Sequence, residues 1–143
     1  MAPTRSRASR WSATTWPSTP ASALAARTAR AFRSAWADDE EIVSIHPGGA
    51  RHVGYDAVRG AFEALFAGDG KLSFRLEEVV MTETVGLAVQ SAIEHIALSD
   101  GNPRGAAIAT NVFMRTPSGW RMVLHHASPA PSLPTPQQSG PLH

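Results

Sequence analysis

The hydrophobic period of this chain changes once, and that change decides what class of fold it can adopt. Between Gly54 and Ala67, Val58, Ala61, Phe62, Leu65 and Phe66 recur at helical spacing. Asp56 favours the N-terminal turn of that helix, and Gly68 can close its other end. From Leu72 onward the period is two. Leu72, Phe74 and Leu76 alternate until Glu77-Glu78 breaks the phase, as a β-bulge would. Val85–Leu98 and Gly105–Arg115 read as long strands on either side of the turn Asp100-Gly101-Asn102-Pro103. Pro117-Ser118-Gly119 suits a tight hairpin, and Trp120–His126 closes the sheet.

Ahead of this lies a second helix and a short strand. Thr19-Pro20 offers a capping hydroxyl followed by proline at the first helical position. Leu24, Ala31, Phe32, Ala35 and Trp36 then fall on one stripe, which predicts a helix over about 20–37. Ile42–His46 reads as a strand ended by Pro47-Gly48-Gly49, with Ile42, Ser44 and His46 on one face. Helix, strand, helix and four meandering strands make an α+β domain, a curved antiparallel sheet wrapped around N-terminal helices. Such a sheet leaves a cavity between its concave face and the helices.

Composition narrows the function. The 143 residues make one domain with enough apolar content for a core. The net charge of +1 gives no field for nucleic acid, and no apolar run approaches a membrane span. There is no cysteine, so disulfides and thiolate metal sites are excluded and a reducing, cytoplasmic setting is the default expectation. Residues 1–37 carry six arginines and no acid; the seven remaining cations face all twelve acids, so the rest carries −5. The Arg/Ser/Ala/Pro-rich front reads as a disordered or atypical basic segment over 1–18, as text from a wrong frame or start site, or as a targeting leader, in that order of preference. The main domain spans 19–129. Ala127–His143 has five prolines in 17 residues, so 130–143 is expected to be disordered.

The run Ala35-Trp36-Ala-Asp-Asp, His46-Pro47-Gly48 and Val53-Gly54-Tyr55-Asp-Ala-Val-Arg59 resembles SnoaL-like domains of the nuclear-transport-factor-two-like superfamily. So does Asn111-Val-Phe, Gly119-Trp120-Arg and His125-His126-Ala-Ser-Pro129. The resemblance covers about residues 29–129 and implies a cone-shaped, cystatin-like α+β barrel with an apolar pocket. The superfamily includes ketosteroid isomerases, polyketide cyclases, dehydratases and non-catalytic association domains. Ketosteroid isomerases carry a general-base Asp before proline at the end of the first strand. Here His46-Pro47 stands there. Their protonated Asp before the last hairpin corresponds to Asn111. Their first-helix tyrosine has no counterpart, since the one tyrosine is Tyr55.

The candidates follow. His46 titrates near neutrality and suits a general base, or it simply caps a strand end by bonding to backbone. Asn111 can donate to an oxyanion, or it is a satisfied buried amide. Glu94 lies mid-strand in an apolar run and needs a partner, either His46 or Arg121, unless it is a solvated edge residue. His125 and His126 point to opposite faces. Period-two counting puts His126 with Trp120, Met122 and Leu124, and a bulge would reverse the choice. His126 is taken as the catalytic member and His125 as ligand-binding. Trp36 and Phe62 stand at the pocket wall, mainly as packing, and Arg51 with His52 in a loop over its mouth. A metal site from His46, one of the pair and a carboxylate has no tight spacing, so no metal or other cofactor is expected. The expected function is that of a pocket protein for a small apolar ligand. It is either an acid–base isomerase, cyclase or dehydratase on a carbonyl compound, or a non-catalytic binding or association domain. A homodimer through the outer sheet face is expected in either case.

Overall fold

The computed structural model describes residues 29–67 and 72–131. Helix α1 (Ala29–Ala35) leads to strand β1 (Val43–Ile45), then β2 (Arg51–Val53) and helix α2 (Tyr55–Phe66). Four strands follow: β3 (Leu72–Glu83), β4 (Leu87–Leu98), β5 (Pro103–Thr116) and β6 (Gly119–Pro129). They form one curved, open six-stranded sheet in the order β2-β1-β6-β5-β4-β3. Every pairing is antiparallel except β1 with β6. This is the expected α+β architecture. The part of the predicted 20–37 helix before Ala29, the helix-closing role of Gly68, and the terminal segments 1–18 and 132–143 lie outside the described residues. Among the described residues no helix is long and apolar enough to cross a membrane.

One short element was not expected. Arg51 and His52 belong to β2, which pairs with β1 in the register Ser44 with His52 and Ile45 with Arg51. The turn at Gly48 brings the chain back along the edge of β1 that β6 leaves unpaired. Backbone hydrogen bonding claims the segment although its residues carry no strand pattern.

The helices fill the concave side. Phe32, Trp36, Val58 and Phe62 pack with Ile42, Phe113, Trp120 and Met122 in one core. Each such buried side chain contributes roughly 1.5–3 kcal/mol over its exposed state. The Phe32 and Trp36 rings stack at 5.6 Å, and Phe62 meets Trp36 edge-on at 5.5 Å. α2 is tied to β1 through Gly54, whose N–H donates to the Ile42 carbonyl at 2.9 Å. Gly54 has φ 93° and ψ 156°, a region closed to side-chain-bearing residues. A Cβ there would also stand 3.2 Å from the Glu40 carboxylate. Gly54→Ala is therefore expected to cost about 1–3 kcal/mol, read as a lower urea midpoint at unchanged slope; an unchanged midpoint would refute the strain.

Two bulges matter for the site. Between Glu77 and Val80 the β3–β4 register slips, with Glu78 at φ 50°, where the sequence breaks phase. In β6 the register passes from Leu124 opposite Val112 to Met122 opposite Phe113, so Val123 is the extra residue. That bulge turns the strand over between Met122 and Leu124.

Candidate functional site

One row of side chains crosses four strands on the concave face. Gln90 of β4 is directly opposite Asn111 of β5, which is opposite His125 of β6, which is opposite Ser44 of β1. All four are buried. Asn111 Nδ2 donates to Gln90 Oε1 at 3.1 Å. His125 Nδ1 lies 2.6 Å from Asn111 Oδ1. An amide oxygen only accepts, so this contact places the imidazole proton on Nδ1 and leaves Nε2 as the acceptor. Glu94, one pleat repeat beyond Ala92 on the same face of β4, brings Oε1 to 3.8 Å from His125 Nδ1. That is too long for a hydrogen bond.

Beside this row is a cavity of about 230 Å³. Pro47, Phe62, Leu65, Leu72, Phe74 and Ile96 supply apolar walls; His46, Glu94 and His125 supply the polar one. The His46 ring meets Phe62 edge-on at 4.9 Å and stands 5.9 Å from the His125 ring. His46 Nε2 and Glu94 Oε1 are buried without a hydrogen-bond partner among the described residues. Each such atom costs about 1–3 kcal/mol, so the fold holds them at a stability cost.

Burial shapes their acidity. It pushes the Glu94 carboxyl up to about 7, with the Asn111 amide partly offsetting it. It pushes His125 down to about 3, helped by the charges of His46 and His126. It also lowers His46, with His52 adding to the effect. Near neutral pH both cavity imidazoles are therefore uncharged, and Glu94 exchanges its proton in the working range. The arrangement can accept a proton at a neutral imidazole and donate a hydrogen bond from a protonated carboxyl. Among the described residues no three His, Asp or Glu side chains converge as a metal site.

Residues 20–132 match the family model of the SnoaL-like domain. The chain belongs to the SnoaL-like domain family. No curated protein matches it. Among solved structures it is similar to a protein from Thiobacillus denitrificans, named as a calcium/calmodulin-dependent protein kinase type II association domain. The two are 34% identical over 76% of this chain and 87% of that one, with a TM-score of 0.67. It is also similar to a Streptomyces avermitilis protein of the NTF2-like family, named as a dehydratase. Identity there is 27% over 77% of this chain and 88% of that one, with a TM-score of 0.67. A Nostoc punctiforme protein with a cystatin-like fold shares the fold at 15% identity, 80% and 86% coverage and a TM-score of 0.65.

Within this SnoaL-like domain the residues singled out from sequence divide into three groups. His46, Glu94, His125 and Phe62 meet at the cavity. Asn111 stands behind it in the buried row, with its oxygen and an amide proton committed to His125 and Gln90 rather than offered to a ligand. The remaining three lie elsewhere. Trp36 is core and does not line the cavity. Arg51 is exposed on the edge strand β2 rather than in a loop over the mouth. His126 is exposed on the outer face, because the Val123 bulge reverses the period-two count and turns His125 inward. Glu94 does not pair with Arg121, whose guanidinium donates to the Trp120 carbonyl at 2.9 Å. Gln90 escaped the sequence reading. Its signal was present: a polar residue in phase with Ala88, Ala92 and Glu94 on a strand whose inward face is otherwise alanine.

Proposed function

We propose that this domain is an acid–base pocket protein that moves a proton next to the carbonyl of a small, uncharged, largely apolar ligand. What carries the reading is the pairing, in one apolar cavity, of a neutral imidazole at His46 with a buried carboxyl at Glu94 held up to about 7. His46 takes the proton from the carbon beside the carbonyl. Protonated Glu94 donates a hydrogen bond to the oxygen as it gains negative charge, and His46 returns the proton to the ligand. No Lys or Arg lines the cavity, which disfavours an anionic ligand. The dehydratase named among the similar structures needs the same first step, removal of a proton beside an activating group.

The reading is tested by hydrogen–deuterium exchange at the α-carbons of cyclohexanone and cyclohexenone, followed by NMR in D₂O. Exchange above the buffer rate is expected with the wild type and a loss of it in His46→Ala and in Glu94→Gln. Equal exchange by all three proteins, or none by the wild type, would remove the proposal.

A second reading, an association domain, is favoured by the outer sheet face. Leu87 is opposite Met114 and Val89 opposite Val112 there, with Leu87, Val89, Ile108 and Met114 all exposed. A contiguous apolar patch of this kind marks an interface, and the Thiobacillus protein carries an association-domain name. The two readings are compatible, since the cavity and the patch lie on opposite faces. Sedimentation is expected to show a dimer that Val89→Glu dissociates.

A further inference from the structure

We propose that Gln90 is a positioning residue that, through Asn111, fixes His125 as the Nδ1–H tautomer and thereby withholds the imidazole proton from Glu94. This deepens the acid–base reading above, but it stands on geometry that no ligand is needed to see. Gln90, Asn111 and His125 occupy directly opposed positions on three adjacent strands, so their side chains meet head to tail. The relay has two self-consistent states. In one, Gln90 presents its oxygen to the Asn111 amide, Asn111 presents its oxygen to His125, and the ring carries its proton on Nδ1. In the other, both amides are turned over and the proton sits on Nε2. The first state is the one with contacts of 3.1 Å and 2.6 Å.

The choice of state matters to Glu94. Its Oε1 lies 3.8 Å from the same Nδ1 and has no hydrogen-bond partner among the described residues. The Nδ1 proton is spent on Asn111, so the carboxyl lacks the donor that would stabilise its anion. The titratable groups around it are His125 from β6 and His46 after β1, with the Asn111 amide on β5. Gln90 itself never reaches the cavity, so it acts only through the relay.

The test is the tautomer of His125 in the full chain, read by long-range ¹H–¹⁵N correlation on ¹⁵N-histidine-labelled protein at pH 8, without ligand. The wild type is expected to show Nδ1–H. Gln90→Leu frees Asn111 to turn over, and the ratio of Nε2–H to Nδ1–H is expected to rise about fivefold, the population equivalent of one net hydrogen bond. Gln90→Glu can only accept from Asn111 and is expected to retain Nδ1–H. Adding Asn111→Asp to Gln90→Leu supplies a fixed acceptor and is expected to restore the Nδ1 proton. A wild type found as Nε2–H would overturn the proposal even if no variant folded. So would Gln90→Leu with an unchanged tautomer. Either result leaves the exchange test of the acid–base reading untouched, and loss of α-exchange leaves the tautomer result standing.

Discussion

Glu94→Gln is expected to stabilise the protein by about 3 kcal/mol above pH 7 and to leave it nearly unchanged at pH 4. The sign follows from where the proton sits. Burial raises the Glu94 carboxyl from 4.5 to about 7. Between those values the native state keeps a proton that the unfolded chain has released, so stability falls as pH rises through that window. Glutamine cannot ionise, and the loss disappears with it. His125 works in the opposite direction. Burial lowers it from 6.5 to about 3, so the unfolded chain binds a proton that the native state refuses. Stability from this group is complete above 6.5 and is lost as pH falls, at about 1.4 kcal/mol per pH unit. His46, also lowered, adds to the same trend.

In the wild type the Glu94 and His125 slopes oppose each other from 6.5 down to 4.5, and the acid loss is delayed until Glu94 is protonated in both states. In Glu94→Gln the loss begins near 6.5. The difference between the two proteins isolates Glu94, because every other carboxylate is common to both. Urea midpoints taken from pH 3.5 to 8.5 read the difference directly. Two parallel curves would show that Glu94 titrates at its ordinary value and would remove the basis for its role. A gain in stability from losing a buried carboxyl is the expected signature of a group kept for chemistry rather than for folding.

The elements that sequence could show were those fixed by local period. Val58, Phe62 and their neighbours repeat at helical spacing because one side of α2 must be apolar to pack, and the helix is where they predict it. The phase break at Glu77-Glu78 was visible because two charges interrupt an alternation, and a bulge lies there. The second bulge left no such mark. Met122, Val123 and Leu124 are all apolar, so a one-residue slip among them is silent, yet it decides which of His125 and His126 enters the cavity. β2 was equally silent, since it is three residues whose pairing is set by the return of the chain along β1. The site was half legible. His46 and Glu94 stood out as polar groups in apolar runs. Gln90 and Asn111 owe their roles to which strands are neighbours, and spacing along the chain does not carry that information.

Phe62→Ala carries the other large expected effect, a loss of about 3–5 kcal/mol. The ring is 1% exposed and touches both the core and the cavity. Its centroid lies 5.9 Å from Phe32, 5.5 Å from Trp36, 4.9 Å from His46 and 6.3 Å from Phe66. Removing it does not create an isolated void. The space merges with the cavity that the ring already lines, so water can reach the His46 imidazole from that side. Burial is the leading cause of the lowered His46 pKa, and rehydration is expected to carry its midpoint back toward 6.5. Phe62→Leu keeps most of the apolar volume and serves as the control. It is expected to cost less and to move His46 less. Urea unfolding reads the stability, and NMR titration of the labelled histidine reads the midpoint in the same proteins. If Phe62→Ala unfolds more easily while His46 titrates as before, the ring is only packing, and the low basicity of His46 must come from the strand end and its neighbour His52. If both move together, one side chain of α2 joins core stability to the acidity of the candidate base. Helix packing would then set the pH range in which the pocket can take up a proton.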